Sequence, residues 1–337
     1  MRYIDAFCHF FPDSLWQRIQ TLEGAGAGIG KRMQNVPAIF DLDTRFKVMD
    51  RFSDYSQVIS LGMPPLEAMG PPEVSVELAK LANDGFAELI ARHPDRFAGY
   101  VAALPMNDPD AAAREAERAF TELGANGIQI HTNINGAPLD EARFEPIYEI
   151  CARHGRPLLL HPSRNARMPD YATEDKSQYE IWWTFGWPYE TSAAMARFVF
   201  SGIMDRIPDL KIVAHHLGAM VPYFEGRVGP GWDQLGKRTS DEDLTLVLDR
   251  LKKRPLDYFK DFYADTAVFG SRAATVCGLE FYGPDRAVFA SDCPFDPEGG
   301  PGYIRDTIAV LESIEMSQED REKISFRNAQ SLFGLKA

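Results

Sequence analysis

Short, almost uninterrupted apolar runs recur along the chain. They are "YIDAFCHF" from Tyr3, "QVISLG" from Gln57, "FAGYVAALP" from Phe97, "GIQIHT" from Gly127, "RPLLLHP" from Arg156, "LKIVAHH" from Leu210, "FYADT" from Phe262 and "RAVFASD" from Arg286. Their polarity does not alternate, which is the pattern of parallel strands covered on both faces by helices. Between them lie segments of helical period, among them 71–94, 108–127 and 139–155. The first opens on a proline pair and stops before Pro94, and the third stops at Gly155, where such helices are expected to begin and end. Eight strand–helix alternations without an evident linker predict one (β/α)₈ TIM barrel, a single domain over 1–337. A doubly wound sheet would need a glycine-rich turn after its first strand, and "HFFPDSLW" has no glycine. Two insertions, 13–41 and 163–188, exceed ordinary connections and fall after the first and fifth strands, where barrels build lids and substrate walls.

In such a barrel His9, His131, His161, His216 and Asp292 each end or directly follow a different strand, so all five are expected at one mouth. Imidazoles and a carboxylate suit a divalent ion such as Zn²⁺, and an aspartate on the last strand can also act as a base. Gln129 shares a strand face with His131, whereas Cys8 is expected to point away from the face of His9. His93 and His154 sit at helix C-termini, where a partial positive charge is favourable, and are read as structural.

The overall charge narrows the partners. With 45% hydrophobic residues, and 36 basic against 49 acidic side chains for a net −13, the chain lacks the clustered cations that nucleic acid or an anionic membrane surface requires. No signal-peptide pattern or membrane span is evident, so a cytoplasmic protein is expected. Four scattered cysteines without a CxxC pair predict free thiols.

The motifs "HPS", "HHLGAMVPYFEGR", "FYADT" and "ASDCPF", in this order, resemble those of the amidohydrolase superfamily over Ile4 to Leu335. The branch is amidohydrolase-2, which includes amino-carboxymuconate-semialdehyde and gamma-resorcylate decarboxylases. The resemblance implies His9, His161 and Asp292 as ligands of one divalent ion, Zn²⁺ first and Mn²⁺ second. It implies His216, with Asp292, as the catalytic acid–base pair. His216 is preferred to His215 because the family's His-x-Gly-x-x-x-Pro runs from His216 through Gly218 to Pro222, and strand alternation lets only one of two neighbours face the mouth. The family carries His or Glu two residues before His9, and here that residue is Phe7. Either three protein ligands and water hold the ion, or the metal is lost and Phe7 packs against a substrate ring.

Arg45 matches a family arginine that clamps a substrate carboxylate. Trp187, with Trp182, Trp183 and Phe185, is expected to wall the substrate, and Gln129 and His131 to reach it. "PYETSAAMARFVFSG" resembles a dimer face and implies a homodimer. The implied activity is metal-dependent, non-oxidative decarboxylation of a small carboxylated aromatic or dienoic ring-cleavage acid. A hydrolase or hydratase of a meta-cleavage product, and a disabled barrel that merely binds a small acid, stay open as alternatives.

Overall fold

A computed structural model describes residues 1–24, 29–238 and 244–336. Eight parallel strands follow one another around a nearly closed barrel: β1 (Tyr3–His9), β2 (Tyr55–Ser60), β3 (Phe97–Ala103), β4 (Gly127–His131), β5 (Leu158–His161), β6 (Ile212–Ala214), β7 (Tyr263–Asp265) and β8 (Ala287–Val288). β8 is short, and the residues after it complete the closure onto β1. Ala6 donates to the Phe289 carbonyl, His9 to that of Cys293, and Asp292 to that of Phe7, at 2.9, 2.9 and 3.1 Å. All eight apolar runs read in the sequence are therefore strands of one sheet.

Helices follow the strands on the outside. The segment expected over 71–94 is the helix Pro72–Arg92, and 139–155 yields Glu145–His154, with Gly155 in the left-handed conformation as its stop. The helix expected over 108–127 is shorter, Pro109–Thr121, because the chain turns through Gly124 at φ 72° to enter β4. The 13–41 insertion contributes the helices Asp13–Gln20 and Ile29–Gln34, with 25–28 outside the described residues. Among the described residues no helix is long and apolar enough to cross a membrane.

The lower barrel interior is packed with Ile4, Ala6, Val58, Val101, Leu159 and Val213, and Leu332 and Phe333 of the last helix join this cluster. The register of β1 against β2 shifts between Asp5 and Cys8. Such an irregularity reverses which side chains face inward. Strict alternation from Ile4 and Ala6 would send Cys8 into the mouth. The shift turns Phe7 and His9 inward instead, while Cys8 contacts the Asp5 carbonyl and the Tyr55 hydroxyl.

Candidate active site

The C-terminal strand ends carry the polar residues anticipated there. β4 and β5 pair with His131 directly opposite His161, so these imidazoles stand level, 5.0 Å between centroids. His9 at the end of β1 lies 5.3 Å from His161. Its Nε2 is 3.1 Å from Asp292 Oδ1, although the orientation is not that of a hydrogen bond.

Four histidines share one arrangement. His9 Nδ1 meets the Leu61 carbonyl at 2.9 Å, His161 Nδ1 the Pro162 carbonyl at 2.8 Å, His216 Nδ1 the Ala267 carbonyl at 2.6 Å, and His215 Nδ1 the Asp265 carboxylate. Each acceptor is an oxygen, so in the neutral ring Nδ1 carries the proton and Nε2 keeps its lone pair. Burial, and then the neighbouring imidazoles, push the His161 ring well below the usual histidine range. Burial also lowers His215, and Asp265 opposes that shift only partly. Neutral rings with inward lone pairs are what a divalent ion requires.

The donor set therefore fits an ion chemically. Two donors about 2.1 Å from one centre stand roughly 3 Å apart, the spacing of His9 and Asp292. Among the described residues no three such side chains are yet gathered to hold one. Phe7 is what intervenes. It is 1% exposed, packed with Ala267 and Ala290, and its ring lies 3.4 Å from that of His215, 4.4 Å from His9 and 5.5 Å from His161.

A cavity of about 710 Å³ opens above these residues, lined by His161, Trp187, His216, Asp292, Phe269 and Tyr303 among others. Trp187 stands edge-on to His161 at 6.2 Å and to Trp182 at 5.6 Å, and its Nε1 is fixed on the Arg164 carbonyl at 3.0 Å. Trp182 and Trp183 also line the cavity, whereas Phe185 is 70% exposed.

Several expected contacts are not made. Phe7 does not line the cavity, because its ring is enclosed by histidines and alanines. Arg45 is wholly buried beneath the site. Its guanidinium donates to Gln57 at 2.8 Å and to the carbonyls of His9 and Ala38 at 3.1 and 3.2 Å. It holds the end of β1 rather than lining the cavity, because its guanidinium is taken up by Gln57 and these two carbonyls. Gln129 and His131 also lie behind the cavity. Gln129 donates to the Leu61 carbonyl, and His131 faces the buried Glu67 at 3.8 Å.

Of His215 and His216 only the second lines the cavity, as expected, but strand alternation is not the reason. β6 ends at Ala214, and His216 and Leu217 adopt left-handed conformations (φ 56° and 50°), so strand alternation no longer applies. His215 enters the barrel and His216 faces the cavity.

Three residues passed over in the sequence complete the site. Asp265 lies within the quoted "FYADT" and Glu67 has no flanking motif. Arg32 stands at the cavity mouth with its guanidinium 5.9 Å from the Phe295 ring centroid. Its insertion carried no periodic signal.

A family model described as "Amidohydrolase" matches residues 4–335. A gamma-resorcylate decarboxylase of Rhodococcus jostii is 32% identical over 336 residues, covering 97% of this chain and 93% of its own. A 2-amino-3-carboxymuconate-6-semialdehyde decarboxylase of Dictyostelium discoideum is 28% identical, over 98% of this chain and 91% of its own. Among solved structures, a dihydroxybenzoic acid decarboxylase from Polaromonas sp. JS666, with bound manganese and the inhibitor 2-nitroresorcinol, superposes with a TM-score of 0.77. It is 27% identical and is covered over 98% of its length by the whole of this chain.

Proposed function

Because the chain belongs to the amidohydrolase family, we propose that its single barrel domain is a divalent-metal-dependent, non-oxidative carboxy-lyase for a small carboxylated aromatic acid. The observation that carries the reading is the floor of the cavity. The inward-facing imidazoles of His9 and His161 and the Asp292 side chain lie there beneath walls of Trp187, Trp182 and Phe269. His9, His161 and Asp292 would hold the ion, and Mn²⁺, which the Polaromonas enzyme binds, is the first metal to test, ahead of the Zn²⁺ expected from the donor set. When bound, it would chelate the substrate's carboxylate and an adjacent oxygen and so fix the acid in the cavity.

The chain's own residues account for the remaining steps. The indole of Trp187, anchored through Nε1, offers an edge to a flat ring and excludes water from it. Arg32, and not the buried Arg45, is placed to present a cation to the substrate acid. In decarboxylation the bond between ring carbon and carboxylate breaks, its electron pair stays on the ring carbon, CO₂ leaves, and a proton must reach that carbon. His216 lines the cavity, and with Nδ1 held on Ala267 its Nε2 lone pair is the atom that can take up a proton from solvent and then pass it to that carbon; Asp292 lines the same cavity.

The exposed Phe185 (70%) and Tyr189 (57%), at the start of the helix Gly186–Phe200, support a homodimer through that helix. A panel of hydroxybenzoates and dienoic acids, incubated with the Mn²⁺-loaded protein, should show loss of substrate absorbance with stoichiometric CO₂ from at least one hydroxybenzoate. Substrate loss without CO₂ would replace the lyase by a hydrolase or hydratase.

A further inference from the structure

Asp292 lines the cavity, yet among the described residues no hydrogen bond holds its carboxylate. Its direction is therefore set by the backbone, and that backbone is left-handed, at φ 63°. A non-glycine residue keeps such a conformation only where its surroundings enforce it. The N–H of Asp292 is fixed on the Phe7 carbonyl at 3.1 Å, and its two neighbours in the chain supply the rest. The Ser291 hydroxyl accepts from the backbone N–H of Cys293 at 3.2 Å and donates to the carboxylate of Asp5. The Ser291 N–H donates to the other Asp5 oxygen at 3.0 Å. One hydroxyl thus bridges from the residue before Asp292 to the residue after it, and Asp5 anchors the bridge.

Asp5, in β1, is wholly buried and is itself held by a chain of donors. Arg45 Nε donates to the Gln57 side-chain oxygen at 2.8 Å, Gln57 Nε2 to the Tyr55 hydroxyl at 2.8 Å, and that hydroxyl to Asp5 at 2.6 Å. Every bond of the chain points toward Asp5. With the two from Ser291, three donors converge on its two oxygens, which suits a carboxylate, since a carboxylate only accepts. The buried Arg45 guanidinium touches Gln57 and two carbonyls but no carboxylate among the described residues, and it finds its counter-charge at the far end of this chain. We propose that Asp5 is a positioning residue for Asp292, acting through Ser291. Arg45, Gln57 and Tyr55 orient Asp5, and Asp5 with Ser291 holds Asp292 in the left-handed conformation that turns its side chain to the cavity. Arg45 also donates to the His9 carbonyl at 3.1 Å, so one buried network sets both the end of β1 and the segment after β8.

The inference rests on the role of Asp292 in the proposed function, and the test separates the two. Ser291→Ala removes the bridging hydroxyl, Asp5→Asn puts a donor where Ser291 or Tyr55 already donates, and the double variant closes a cycle. Leu332→Ala, in the core at the opposite end of the barrel, controls for loss of stability alone. Each is followed by thermal melting, by kcat and KM on a hydroxybenzoate that the native Mn²⁺ protein decarboxylates, and by a crystal structure grown without metal. In Ser291→Ala and Asp5→Asn, kcat should fall about tenfold or more with a smaller change in KM, and Asp292 should leave the left-handed region. The double variant should lose no more than the more impaired single variant, because both act on one link. Leu332→Ala should keep kcat within about twofold despite an equal or larger drop in melting temperature. Four results would overturn the assignment of Asp5 and leave the decarboxylase reading standing: Asp292 unmoved in both single variants, kcat unchanged in them, losses that multiply in the double variant, or an equal loss of kcat in Leu332→Ala. If the native protein releases no CO₂ from any hydroxybenzoate, the proposed reaction falls, and the backbone of Asp292 in the Ser291→Ala and Asp5→Asn structures decides the positioning role by itself. Tyr55→Phe, which takes one donor from Asp5 at nearly constant volume, replaces Asp5→Asn in the cycle if that variant does not fold.

Discussion

At the scale of single residues, the division of labour among the histidines follows from what each Nδ1 touches and where each ring lies. His216 borders the cavity, whereas His9 is buried beneath it against Asp292. His216→Asn should therefore lower kcat by about 10²–10⁴, the usual contribution of a positioned acid or base, while one equivalent of metal is retained by elemental analysis. Asp292→Asn should lower both. Equal metal loss in the two variants would show that proton carrier and ligand had been misassigned. Arg32 is tested the same way. A charged hydrogen bond to a carboxylate contributes about 1.5–3 kcal/mol, so Arg32→Ala should raise KM roughly ten- to a hundredfold with a smaller change in kcat. The buried Arg45 should answer differently: Arg45→Met should lower the melting temperature, because the carbonyls of His9 and Ala38 lose their donor.

At the scale of elements, the segment after β6 is the most constrained part of the site. His216, Leu217 and Ala219 all have φ between 50° and 57°, with Gly218 at 68° among them. Left-handed backbone costs a non-glycine residue roughly 1–2 kcal/mol, and it persists where the surroundings enforce it. Here the helix Arg272–Tyr282 does so. A Cβ at Gly278 would stand 2.8 Å from that of Leu217, and a Cβ at Gly218 would run into the Tyr282 hydroxyl. Gly278→Ala should push Leu217 away and swing His216 off the cavity. The expected result is a loss of about 1–3 kcal/mol in denaturant unfolding, with kcat falling more than the stability change explains. Unaltered turnover in a destabilised variant would mean that the turn does not place His216.

At the scale of the whole molecule, the buried Glu67 and His131 set opposing pH dependences. Burial raises the Glu67 carboxyl from 4.5 to about 7. Its raised value means that the stability it contributes is complete below about pH 4.5 and is lost as pH rises through 7. Burial, followed by His9 and His215, lowers His131 from 6.5 to about 3. Its contribution is intact above about pH 6.5 and is lost as pH falls toward 3. Between about pH 4.5 and 6.5 the two oppose each other. Melting temperatures from pH 4 to 9 should show Glu67→Gln losing the decline between about pH 4.5 and 7, so that the rise up to about pH 6.5 stands unopposed, and His131→Asn losing that rise. Parallel profiles for both variants and the native protein would mean that neither group changes its proton occupancy on folding.

The barrel was legible from the sequence because its signal is local. Eight apolar runs between helical segments admit few packings, and a strand end in a parallel barrel faces the mouth wherever it occurs. His9, His161, His216 and Asp292 could be read for that reason, as could Trp187 in its insertion. The order of motifs also identified the family from residues alone. What tertiary structure decided is which way a side chain turns when the backbone leaves its regular period. A register shift in β1 brings Phe7 and His9 inward, and a left-handed turn after β6 brings in both His215 and His216. The depth of Arg45 and the pairing of Glu67 with His131 depend on contacts between distant segments. Strand and helix periods report only regular backbone, and the chemistry of this barrel is built where the backbone is irregular.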